Sequence, residues 1–296
     1  MAIVKKKAVG KHAYYYLEHS FRKDGKIEKK EKYLGKTIPK NIEDVKKQFI
    51  SEIYKSKWFD EFDRIKKGFL AQKKLMPASA IEKEKESFMI RFTYDTNRIE
   101  GSTLTLRETA ELLLEGIAPK AKPMRDVKEA EAHKKVFYEM LRNKKKLSMQ
   151  TVLYFHKKFF ENTKEDIAGK LRQHQVAISG SKFMPPLSVE VYPLLVDFFK
   201  WYNYYENKLH PIELAALVHL KLVTIHPFSD GNGRISRMIM NLVLNNHEYP
   251  LFNITYEKRA GYYIALEHAQ TKNNETIFLQ WFFRRYIKEN KRYAEQ

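Results

Sequence analysis

The stretch "PIELAALVHLKLVTIHPFSDGNGRISRMIMNLVLNN", Pro211 to Asn246, decides the fold. Both ends are apolar runs that read as buried helices, and the middle, His226 to Arg237, is polar and glycine-rich. Asp230-Gly231-Asn232-Gly233 directly precedes Ile235, Met238, Ile239, Leu242 and Val243, which recur at helical spacing. The polar segment therefore runs into a helix N-terminus, with the helix expected to begin near Arg234. Unpaired backbone amides and the positive end of the helix dipole favour anions at such a terminus. The two glycines let phosphate oxygens approach the backbone without meeting a Cβ.

Arg234 and Arg237 are three residues apart and so project from one face of the first turn, where their planar forks suit a polyphosphate. Asp230 is out of place in a simple anion site. A metal ion between its carboxylate and the phosphates resolves this, and Mg²⁺ (or Mn²⁺), which shares oxygen ligands with substrate phosphates, fits best. His226, four residues before Asp230, is placed to act as general base on an incoming hydroxyl. Taken singly, a His-Pro pair is a helix stop, DGNG a turn and RxxR a solvated pair; the combination is what points to a phosphate site. The sequence has no GxxxxGK[ST], and no GxGxxG opens a helix after a strand.

The remaining composition agrees with a folded, polyanion-facing protein. The 296 residues are 43% hydrophobic and 14% aromatic, enough for one large domain or two unequal ones. Cysteine is absent, which excludes disulfides and thiolate metal sites. No signal-peptide pattern and no membrane-length apolar run is present, so a cytoplasmic location with no membrane partner is expected. Lys plus Arg number 55 against 36 Asp plus Glu, a surplus that suits nucleotides or nucleic acids.

Residues 1–38 read as a basic β-hairpin or small three-stranded sheet, with a turn at Asp24-Gly25 and glycines Gly10 and Gly35 near the strand ends. Met1 to Lys36 holds eleven Lys/Arg against four Asp/Glu, with Tyr14, Tyr15, Tyr16 and Tyr33 among the cations. That pattern suits a nucleic-acid-contacting sheet, or a docking sheet that buries half its aromatics. Residues 39–90 form a helical linker region, its periodicity carried by Val45, Phe49 and Ile53 and then Phe59, Phe62, Ile65 and Phe69. Further helices are expected over Arg125 to Arg142, Ser148 to Asn162, Val189 to Asn203, and from Lys258 to the C-terminus. "GKLRQHQVAISGSKFMPP", Gly169 to Pro186, alternates at Val176 and Ile178 before a Ser179-Gly180-Ser181 turn, and predicts a short β-hairpin. The fold class is mainly α, with this hairpin and the small N-terminal β-rich segment.

"HPFSDGNGRISR" resembles the signature HPFx[D/E]GNGRxxR of Fic-domain proteins. "GKLRQHQVAISGSKFMPP" is similar to the flap that precedes the signature in that family, and "RAGYYIALEHAQ", Arg259 to Gln270, to the segment that follows it. The resemblance covers roughly Arg91 to Arg285 and implies a Fic-type helical bundle over residues 91–296, including an inhibitory helix and C-terminal helices. It implies transfer of AMP from ATP to a Ser, Thr or Tyr hydroxyl of a protein target, with self-modification included. On this pattern His226 deprotonates the hydroxyl and Asp230 holds the metal against the α- and β-phosphates. Gly231, Asn232 and Gly233 form the anion cradle, while Arg234 and Arg237 hold the β- and γ-phosphates. Phe228 anchors the loop. Val176, Ala177, Ile178 and Ser179 align the target backbone by strand addition and cover the nucleotide. Tyr262 and Tyr263 line the adenine side, and Gln270 stands where some members carry Asn. Both glycines are intact, which favours AMP transfer over phosphate transfer.

"TNRIEG", Thr96 to Gly101, resembles the [S/T]xxxE[G/N] inhibitory motif of some Fic proteins. Pairing of Glu100 with Arg237 would remove the cation that holds the γ-phosphate and leave ATP in an unproductive pose. In some relatives the same glutamate serves removal of AMP, so a deAMPylase is the second reading. A nucleic-acid-associated regulator acting through the N-terminal sheet is the third. The resemblance also implies a homodimer.

Overall fold

The computed structural model of the protein describes residues 2–10, 12–23, 26–143 and 145–295; the expected Asp24-Gly25 turn lies outside them. The chain divides into two compact units, Met1–Arg64 and Ile65–Gln296. In the first, β1 (Ile3–Val9), β2 (His12–Lys23) and β3 (Lys26–Gly35) form an antiparallel sheet in that order. Ala2, Leu17 and Phe21 pack against Phe49 and Ile53 of the helix that follows, α1 (Ile42–Leu75). The unit boundary therefore falls at Arg64, not at residue 38: an amphipathic sheet this small needs the start of α1 to cover its apolar side. Elsewhere on the sheet Tyr33 lies against Tyr14 and Tyr16, with Lys7 4.7 Å from the Tyr16 ring centroid. Lys5 and Lys7 are also ion-paired, to Glu18 and Glu31.

The second unit is helical: α2 (Ala78–Ile99), α3 (Leu106–Glu115), α4 (Met124–Arg142), α5 (Met149–Phe160), α6 (Ser188–Tyr205), α7 (Pro211–Ile225), α8 (Asn232–Asn246), α9 (Arg259–Thr271) and α10 (Glu275–Ala294). α7 and α8 form its centre. Residues on every side of both are buried, as helices apolar around most of their circumference must be, and α2, α4, α5, α6 and α10 pack around them. The helix expected from Lys258 onward is two helices. Asn273 takes a left-handed φ of 45° and Asn274 caps α10, its side chain accepting from the Thr276 amide at 3.1 Å.

Residues 170–187 carry no strand, so the expected β-hairpin is an irregular loop. The turn forms, with the Ser181 amide donating to the Ile178 carbonyl at 3.1 Å, and Val176 and Ile178 alternate with the more exposed Ala177 and Ser179. The ladder is missing because Pro185 and Pro186 have no amide hydrogen, and side chains take their carbonyls: Gln175 that of Pro185, Arg172 that of Pro186. Among the described residues no helix is long and apolar enough to cross a membrane.

Candidate active site

The polar segment turns sharply because two residues adopt left-handed backbone. α7 stops at His226, φ 52°, and α8 starts from Gly231, φ 77°, with no side chain capping its first amides. His226 Nδ1–H donates to the Val223 carbonyl at 3.2 Å, so its Nε2 is the acceptor of the neutral ring. Burial lowers the pKa of this imidazole and keeps it in the basic form near neutrality.

Phe228 is fully buried and stacks on His156 with ring centroids 3.7 Å apart. His156 ties three segments together. Its Nε2 donates to the Asp230 carbonyl at 3.1 Å, and its Nδ1 accepts from the Gly169 amide at 2.9 Å. Asn232 differs from its expected part in the anion cradle. Its side chain is buried and spent on Phe228, accepting from that amide at 2.8 Å and donating to that carbonyl at 2.7 Å, so only its backbone can face an anion. At Gly231 a Cβ would collide with the Phe160 ring, and at Gly233 with the Glu100 carboxylate.

Arg234 is buried at 4% exposure. It pairs with Glu129 and, at 3.1 Å, with Asp230, and lies over the rings of Phe159 and Phe160, 4.9 Å from each centroid. Asp230 also pairs with Lys164. Burial pushes the Asp230 carboxyl up, but Arg234 and Lys164 outweigh it and hold it down to about 2. Arg237 is 1% exposed and tied down: Nε donates to Thr96 Oγ1 at 2.7 Å, and NH2 to Glu100 Oε1 at 2.6 Å and to the Thr96 carbonyl at 3.2 Å. Glu100, the C-cap residue of α2, is thus brought onto the arginine that the motif paired with it.

Tyr262 does not line an open adenine side. It is fully buried, with its hydroxyl 3.0 Å from His219 Nε2 and 3.4 Å from Arg237 NH1. Tyr263 is partly open and donates to the Ile99 carbonyl at 3.2 Å, while Gln270 donates to Thr224 at 3.1 Å. Arg172, at the head of the flap loop, holds that loop to the base, its Nε donating to the His226 carbonyl at 2.8 Å and its amide to the Pro227 carbonyl at 3.0 Å. Sequence reasoning missed Arg172, Glu129, Lys164 and His156. Arg172 stood inside the quoted flap stretch; nothing local marked the other three.

No group of three or more His, Cys, Asp or Glu residues is arranged to hold a metal among the described residues. The donors present still fit Mg²⁺ or Mn²⁺. Asp230 is ionised and about one-third exposed, and Glu129 Oε1 is buried without a hydrogen-bond partner 4.0 Å from Lys164 Nζ. One or two carboxylates completed by phosphate oxygens and water is the ordinary coordination of Mg²⁺ at a nucleotide.

Residues 146–244 match the Fic/DOC family. Over 195 residues the chain is 33% identical to Protein adenylyltransferase Fic of Drosophila willistoni, covering 64% of this chain and 39% of that protein. Over 201 residues it is 32% identical to Protein adenylyltransferase fic-1 of Caenorhabditis briggsae, covering 66% and 39%. The chain spans about two-fifths of the length of these curated relatives. Among solved structures, Fic-1 from C. elegans superposes with a TM-score of 0.72 at 26% identity, over 86% of this chain and 77% of that one. A Fic-domain-containing signaling protein from Bacteroides thetaiotaomicron shares the fold with a TM-score of 0.72 at 22% identity, over 79% of this chain and 96% of that one.

Proposed function

We propose that this chain, whose residues 146–244 match the Fic/DOC family, is a protein adenylyltransferase held in check by Glu100. His226 Nε2 takes the proton of a target Ser, Thr or Tyr hydroxyl, whose oxygen attacks the α-phosphorus of ATP. The bond from that phosphorus to the β-phosphate bridging oxygen breaks, AMP stays on the target, and pyrophosphate leaves. The open amides at the start of α8 and the guanidinium of Arg237 take up the negative charge of the phosphates. Asp230 would hold Mg²⁺ or Mn²⁺, which supplies charge neutralisation at the phosphates when bound. Arg234, fixed between Glu129 and Asp230, keeps that carboxylate in place and ionised. The flap loop, whose run from Val176 to Ser179 has no ladder partner among the described residues, offers its backbone to a target segment.

The observation that carries the inhibitory reading is the double position of the Glu100 carboxylate. It is bonded to Arg237 at 2.6 Å and also sits against Gly233, where a phosphate oxygen would approach the cradle. A phosphate cannot take both places while Glu100 remains. Incubation with labelled ATP and Mg²⁺ tests this: Glu100→Gly is expected to raise self-labelling at least tenfold, and adding His226→Ala to abolish it. An unlabelled Glu100→Gly protein with either Mg²⁺ or Mn²⁺, alone and in its own lysate, would refute the proposal. A second activity, hydrolytic removal of AMP, is favoured by the place of the partly exposed Glu100 carboxylate against Gly233. It predicts AMP release from a modified target that Glu100→Gly loses.

For residues 1–38, contact with nucleic acid is supported by the clustered Tyr14, Tyr16 and Tyr33 rings and Lys7. The Lys5–Glu18 and Lys7–Glu31 pairs leave less free charge than the composition suggests. Salt-dependent binding of an oligonucleotide, lost on substitution of Tyr16 and Tyr33, is the expected signature.

A further inference from the structure

We propose that Lys164 is a tethered counter-cation that competes with the divalent metal for Asp230, so that loading the site requires its ammonium to swing away. The inference rests on the metal-site reading above and concerns a residue outside the signature loop. Asp230 has two oxygens and two cationic partners. Oδ1 accepts from Arg234 at 3.1 Å and from the Gly231 amide at 2.5 Å, while Oδ2 is taken by Lys164 Nζ.

The two cations differ in freedom. Arg234 is 4% exposed, clamped by Glu129 and packed on two phenyl rings, so it has nowhere to go. Lys164 is 31% exposed, sits in the irregular segment after α5, and has a flexible four-carbon stem. Only the Lys164 side of the carboxylate can be vacated. The ammonium also stands 4.0 Å from Glu129 Oε1, the buried oxygen without a hydrogen-bond partner, so it faces both carboxylates. A divalent ion carries more charge into the same place and cannot share it with the ammonium, because like charges a few ångströms apart repel. Lys164 thus keeps the acidic site neutralised before nucleotide arrives and sets the metal concentration at which the site fills.

The test is direct Mn²⁺ binding to the full chain without nucleotide, read from the electron paramagnetic resonance signal of free Mn²⁺. Lys164→Gln is expected to tighten Mn²⁺ binding about tenfold over the unsubstituted protein, and Lys164→Arg, which keeps the charge, to bind within about twofold of it. Asp230→Asn is expected to lose the site in either background. If Lys164→Gln binds Mn²⁺ equally, more weakly or not at all while Asp230→Asn removes binding from the unsubstituted protein, the counter-cation proposal falls and the metal-site reading stands. If Asp230→Asn leaves Mn²⁺ binding unchanged, the metal-site reading falls and takes the proposal with it. Circular dichroism of each variant separates loss of the site from loss of the fold.

Discussion

At the residue scale, His226 shows how backbone position sets chemistry. Its left-handed φ turns the chain out of α7, its Nδ1–H is spent on Val223, and burial disfavours the imidazolium. The neutral ring is the working base, so activity is lost as pH falls and the ring protonates. With the pKa lowered from its ordinary 6.5, the acid limb of kcat/KM in the Glu100→Gly protein is expected to lie below pH 6.5. Glu100 raises the His226 pKa, so its removal moves that limb further down. A pH–rate profile bending at or above 6.5 would contradict the assignment. Gly233 gives a second test. A Cβ there meets side-chain ends, the Glu100 carboxylate closest, and not backbone, so Gly233→Ala is expected to change stability by less than about 1 kcal/mol once Glu100 is glycine. Its nucleotide affinity should fall at least tenfold, read by calorimetry in the Glu100→Gly background, because the methyl fills the cradle.

At the scale of elements, side chains from distant helices hold the signature loop to the core. α4 reaches α8 through Glu129 and Arg234, α2 reaches it through Thr96, Glu100 and Arg237, and α5 supports the loop through His156 and Phe160. Glu129→Ala removes the closest partner of a guanidinium that cannot reach water. Unfolding stability is expected to drop by about 3 kcal/mol, measured by urea titration, with a smaller loss for Glu129→Gln. Gly231→Ala should cost about 2 kcal/mol in the same assay, because a left-handed φ and the Phe160 ring both oppose a Cβ. Helices α4 to α6 were readable from periodicity to within a few residues. The flap was not, because an alternating pattern marks an extended chain without saying whether a partner strand will meet it. Pro185, Pro186 and Arg172 decided that none would.

Across the whole molecule, three imidazoles besides His226 are sealed in the helical unit. His133, His156 and His219 are lowered by burial to about 3, 4 and 3. Below pH 6.5 the unfolded chain binds protons that the folded one refuses, so stability falls with pH. Each of the three contributes about 1.4 kcal/mol per pH unit between pH 6.5 and its folded value. Urea midpoints at pH 7, 5.5 and 4.5 should decline steadily, and a flat series would show these rings to be hydrated. The sequence by itself determined the parts that are close along the chain: base, carboxylate, glycines and arginines lie within one loop and one helical turn, and Glu100 within a motif of six residues. Only the tertiary structure decided who meets them. Glu129, Lys164, His156 and Arg172 come from segments 54 to 105 residues away. Their placement follows from close packing of whole helices, where the contact partner of a side chain depends on the register of two surfaces and not on its own neighbours in sequence.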